Sequence, residues 1–244
     1  MCRPDSVLRA AAHRTAVRRL AGTLKIGPMK SLAQPEVLKS AISAAALSAL
    51  VCLPRLVLWP TRRYPLWYLD ALLFLGGTVL WAFVFAWHTQ YTGLPAITGN
   101  VQRKHFQSAT VSGVLLAIVL RLFLDPTARN ITPGDYPATL GQWLAMTLFS
   151  LGFTQLFLVF APFAWMLRLS RRKEFAIAFT VIFGVVVLLI RNHSANAPLP
   201  FCLAAGLVLV RVASGILSIY FYLRGGVLLV SWWALLVQSR LLIG

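Results

Sequence analysis

Seven long apolar stretches run through the chain, at about 38–59, 66–88, 108–124, 140–167, 175–191, 201–223 and 226–243. Their apolar residues follow one another continuously and do not alternate with polar ones, so each stretch predicts a helix that is apolar all round. Most approach the ~20 residues an α-helix needs to cross ~30 Å of hydrocarbon; the third, at about 17, is the weakest. Inside a bilayer every backbone N–H and C=O must be satisfied internally, and nothing in the chain resembles a barrel repeat. The pattern predicts an all-α membrane protein, a polytopic bundle of about seven transmembrane helices.

The polar breaks between stretches carry their own predictions. Only Arg224-Gly225-Gly226 separates the sixth stretch from the seventh, and a glycine pair allows the positive φ of a tight reversal. The two are expected to form an antiparallel hairpin. The short Asn192–Pro200 loop should hold the ends of spans five and six close together. Pro35 and Glu36 suit the first turn of the first helix, proline by its fixed φ and glutamate by the helix dipole. Ahead of that helix, residues 1–28 carry Arg3, Arg9, Arg14, Arg18, Arg19 and Lys25 against the single acid Asp5. They read as a basic tail or as an extension upstream of a start at Met29, with an interfacial helix or Arg-rich targeting segment as the alternative. The organisation is then a tail, 1–28, and one integral membrane domain, 29–244.

Composition agrees and adds an orientation. Hydrophobic residues make up 59% of the 244 residues and charged ones only 12%, where soluble domains carry about 25%. The mean hydropathy is +0.75. A net charge of +17 invites a nucleic-acid reading, but the basic residues sit in short clusters between apolar runs, as topology signals and lipid-headgroup contacts do. No nucleic-acid partner is expected. The cluster Arg168, Arg171, Arg172 and Lys173 should be cytoplasmic, together with Arg103-Lys104 and Arg224, and the loop holding Asp125 and Asp135 external. This places the N-terminus inside and the C-terminus outside; Arg62 and Arg63 oppose the pattern. Cys2, Cys52 and Cys202 lack metal-ligand spacing, and neither a metal nor another cofactor is expected.

Polar groups inside the spans are the candidates for chemistry, because an ionisable group at the bilayer centre costs at least ~2.5–3.5 kcal/mol and so faces protein or water. Arg211 lies mid-way along span six, with Ser214 and Ser218 on nearby turns. It reads as a buried anion contact or as a structural arginine bonded to neighbouring helices. Thr154-Gln155 sits at the centre of span four and suits inter-helix hydrogen bonding. His193, at the external end of span five, and His88, at the end of span two, read as structural or solvated. Asp70 is the one acid of six inside an apolar run, and it is expected to pair with Arg55 or Arg121.

Residues from about 140 to 240 resemble the CPBP family of intramembrane proteases, which includes CAAX prenyl endopeptidases and bacteriocin-processing or immunity proteins. Three features carry the resemblance: the order of four spans, the distance from Gln155 to His193, and Tyr222-Leu223-Arg224-Gly225-Gly226 before a last helix. In the family a glutamate pair, a Phe-x-x-x-His and a final histidine four residues before Asn or Asp activate water for peptide hydrolysis. Here the pair falls on Thr154-Gln155, the arginine that follows it on Val159, and the Phe-x-x-x-His on Leu189 to His193. The last histidine falls on Leu235, and its partner on Ser239 beside Gln238. Only one histidine matches. Neither Gln nor Thr takes a proton from water near neutral pH, as a general base must.

The resemblance therefore implies a protease scaffold without catalytic residues, in which Thr154, Gln155, His193 and Arg211 form a polar cavity. Such a pseudoenzyme would sit in the lipid bilayer, a bacterial cytoplasmic membrane being the expected one, and bind another membrane protein or a lipidated peptide. An active protease with a divergent constellation is the first alternative. A small transporter or channel, with Arg211 and Gln155 lining a polar path, is the second.

Overall fold

A computed structural model describes residues 34–58, 64–88, 96–97, 101–193 and 200–242, with the side chains of Asp135 and His193 outside the described set. The basic tail and the Arg62-Arg63 segment also lie outside it. All regular structure among the described residues is helical, and six helical stretches are long and apolar enough to cross a membrane. They are α1 (Pro35–Leu58), α2 (Leu66–His88), α3 (Arg103–Ile131), α4 (Leu140–Ser170), α5 (Lys173–His193) and a last one, Phe201–Leu241.

The last stretch is two helices. Gly226 has φ 64° and ψ −160°, outside any helical region. The rings of Phe221 and Trp233 lie 6.1 Å apart, whereas twelve residues of straight helix would separate them by about 18 Å. The chain therefore doubles back into α6 (201–225) and α7 (227–238), the hairpin that the Gly-Gly pair predicts. Val227 N–H donates to the Ala96 carbonyl at 2.9 Å, which ties the reversal to the α2–α3 connection.

Local chemistry sets the helix ends. Thr139 caps α4 by accepting from Gln142 N–H at 3.2 Å, while the Gln142 side chain accepts from Ala138 N–H at 2.8 Å. This reciprocal arrangement is a variant of the capping box. At the other end of α4, Arg171 adopts a left-handed φ of 54° and lets α5 begin at Lys173. Helix α3 is longer than its apolar run. It gains a turn carrying Arg103 and Lys104 at one end and the segment Asp125–Ile131 at the other, both polar enough to escape a hydropathy reading.

Seams between helices use tryptophan N–H groups and small residues. Trp81 donates to Ser48 Oγ at 3.0 Å between α2 and α1, and Trp232 to Thr110 Oγ1 at 3.0 Å between α7 and α3. Close approach needs small side chains. A Cβ on Gly113 would meet Leu236 Cβ at 3.0 Å, and Ala41, Ala45 and Ala109 are fully buried. At the end of the bundle that holds Gly226, Tyr222 is buried among Phe160, Phe163 and a fully buried His88, whose ring lies 4.3 Å from it. His88 thus belongs to the core.

Candidate functional site

Helix α4 loses regular winding twice. Ser150–Thr154 and Leu156–Phe160 are wide, π-type turns, and Gln155 is the single residue between them. Pro162 explains part of this, since it has no N–H to offer the carbonyl four residues earlier. Wide turns of this kind are frequent at functional sites. Alongside, Trp143 Nε1 donates to the Gln238 carbonyl at 2.9 Å, and Gln238 Nε2 donates to Ser150 Oγ at 3.3 Å. Helix α7 is thereby set in register against α4. Thr154 lies one turn below Ser150 and Leu235 about one turn below Gln238, so the two positions share a depth. Thr147 Oγ1 and Gln238 Oε1 are buried in this seam without a hydrogen-bond partner among the described residues.

The second wide turn also shapes a groove. Phe157, Ala161, Pro162 and Trp165 of α4 face Phe179 and Phe183 of α5 and Phe83 of α2 around a volume of about 130 Å³. Phe157 and Trp165 are exposed, so the groove opens sideways into the hydrocarbon. No polar atom lines it.

No hydrogen bond joins Thr154, Gln155 and Arg211 among the described residues. Arg211 lays its guanidinium over Gly184 of α5, where a Cβ would come within 2.6 Å of Nε. Gly184 is therefore what admits an arginine between α5 and α6. His193 ends α5 nine residues beyond Gly184, about 13.5 Å along the helix axis, and so lies well away from the Arg211 level. Asp70 departs from its expected pairing too. Its Oδ1 is buried with no hydrogen-bond partner among the described residues, and Arg121 instead donates to the Arg240 carbonyl at 2.9 Å.

A second polar site emerges only in three dimensions. Asp125, buried at the start of the last segment of α3, accepts from Arg240 Nε at 3.0 Å on Oδ2 and from the Tyr136 hydroxyl at 3.1 Å on Oδ1. Arg129 stacks on the Tyr136 ring with its guanidinium carbon 5.1 Å from the centroid. Beside this network a cavity of about 230 Å³ opens between α4, α5, α6 and the chain after α7, with Tyr136, Arg191, Asn192 and Arg240 on its polar side. Its floor includes Leu188 and Leu207. Leu188 is four residues after Gly184 and Leu207 four before Arg211, so the Arg211 guanidinium lies one helical turn beneath the floor. Leu203 also lines the cavity, so the ends of α5 and α6 lie together as the short Asn192–Pro200 loop requires.

Burial, and next the charge of Asp125, push the Tyr136 hydroxyl up to about 12, against a smaller opposite pull from Arg240 and Arg129. It is a donor at all ordinary pH. An unfolded tyrosine titrates at about 10, so the folded state holds this proton more tightly. The resulting stabilisation is complete below pH about 10 and is lost as pH rises toward 12. Alkaline unfolding followed by helical circular dichroism should be steeper over that window in the wild type than in Tyr136→Phe. Identical profiles would remove Tyr136 from the account.

Fold and site together define a multi-pass helical membrane protein with a distorted central helix and an arginine-rich cavity at one end. Among the described residues, no group of three His, Cys, Asp or Glu side chains is placed to hold a metal ion. No protein-family model, curated protein or solved structure matches the chain.

Proposed function

We propose that the protein binds a lipid-modified peptide within the membrane and does not hydrolyse it, on a scaffold similar to that of the CPBP intramembrane proteases. The observation that carries the reading is the pair of wide turns around Gln155, with an apolar groove at the second of them. The groove offers a hydrocarbon chain only carbon to touch, and the Thr154–Gln155 step next to it offers a peptide hydrogen-bond donors and acceptors. The α4–α7 register supports the resemblance, because it brings Thr154 and Leu235 to one depth. Those are the positions on which the family's glutamate pair and last histidine fall. At this step Gln and Thr hydrogen-bond but take no proton from water, which favours binding over turnover.

The test is reconstitution with a prenylated peptide carrying a photoreactive isoprenoid. Labelling is expected at Phe157 or Phe183, competed by unlabelled prenylated peptide and reduced in Phe157→Ala/Phe183→Ala, with no cleavage product. Cleavage that disappears in Gln155→Ala would make the protein an active protease and overturn the reading. Labelling that the unprenylated peptide competes equally well would remove the lipid chain from it.

A further inference from the structure

We propose that the cavity bounded by Tyr136, Arg191, Asn192 and Arg240 binds the phosphate of an anionic phospholipid. The site is separate from the α4 groove and stands without the reading given for it. Three observations lead here.

The first is charge. Arg121, Arg129, Arg191 and Arg240 converge on this end of the bundle, and Asp125 is the one carboxylate whose described side chain lies among them. Both Asp125 oxygens are already engaged, by Tyr136 and by the Arg240 Nε. The second is unspent donors. Of the five N–H groups of the Arg240 guanidinium, one meets Asp125 and one the Val237 carbonyl. Among the described residues the other three meet no acceptor, on a side chain that is only 17% exposed. An arginine held by its Nε edge presents its remaining fork in a fixed direction, the geometry that suits a phosphate or carboxylate. The third is the floor. Leu188, Leu203 and Leu207 give the cavity an apolar wall below its arginines, so the ligand that satisfies both ends has an anionic head and an apolar tail. A volume of about 230 Å³ is below the usual size of a site for a whole drug-sized molecule, and fits a headgroup whose chains run on into the bilayer. Arginine pockets between transmembrane helices commonly hold anionic lipid heads in this way.

Native mass spectrometry of the detergent-solubilised protein tests this with phosphatidylglycerol, phosphatidylcholine and inorganic phosphate as probes. Phosphatidylglycerol should be retained in preference to phosphatidylcholine. Retention should fall about tenfold in Arg191→Gln, as expected for loss of a charge-assisted contact, and also in Leu207→Phe, which narrows the floor without touching charge. Unchanged thermal melting of both variants would establish that the fold is intact. Equal retention of the two lipids, or variants indistinguishable from wild type, would overturn the proposal. Displacement of phosphatidylglycerol by equimolar inorganic phosphate would overturn the lipid assignment in favour of a free-phosphate site.

Discussion

Asp125→Ala should destabilise the folded bundle by about 3 kcal/mol, the lower end of the cost of breaking a buried ion pair by removing one partner. Asp125 is 8% exposed and Arg240 17%, so solvent cannot take the place of the lost carboxylate. The substitution leaves the Arg240 Nε without its acceptor and the Tyr136 hydroxyl without its own, each a half-buried donor. It also frees the end of α7 from the last segment of α3. Thermal unfolding in detergent should show the loss, and Asp125→Ala/Arg240→Leu should recover part of it because the stranded charge is gone. A single variant that melts with the wild type would mean that the pair is screened and the network is not structural.

Gly226→Ala is expected to be similarly damaging, by a different route. Its φ of 64° with ψ −160° lies in a region open essentially to glycine alone, and a forced residue there costs about 1–3 kcal/mol. Relief would require straightening the chain, which would pull Trp233 away from Phe221 and carry Gln238 and Arg240 off their partners. Gly225→Ala should behave alike, since a Cβ there would lie 2.7 Å from Leu229 Cβ. Gly76→Ala is the control: it is helical, a Cβ meets nothing within 4 Å, and a gain of up to about 1 kcal/mol is expected. A cysteine introduced near residue 242 reports the topology through its access to a membrane-impermeant thiol reagent. If Gly226→Ala melts with the wild type and leaves that access unchanged, the turn does not depend on glycine.

The two sites differ in how far the sequence reveals them. Gln155 is visible because a polar residue stands alone in an apolar run, but the wide turns beside it are not, although Pro162 is a signal for one of them. Arg211 is visible for the same reason, yet its place over Gly184 depends on which helix packs beside it and which face that helix turns toward it. The arginine-rich cavity is nearly invisible. Arg121, Arg129, Arg191 and Arg240 each sit near the end of an apolar run, where a basic residue reads as a topology or headgroup signal. Asp125 and Arg240 stand 115 positions apart. The Asp125-Pro126 step reads as a loop because it is polar, whereas α3 continues through it.

The sequence alone determined the helical class, the membrane setting and the reversal at Gly225-Gly226. These follow from one-dimensional facts: runs of apolar residues long enough to span hydrocarbon, and a glycine pair where no side chain could turn. Only the tertiary structure decided which polar groups meet. Burial in a bilayer constrains each helix along its length but leaves its rotation open, and that rotation brings Asp125 to Arg240, Gln238 to Ser150 and Arg211 to Gly184.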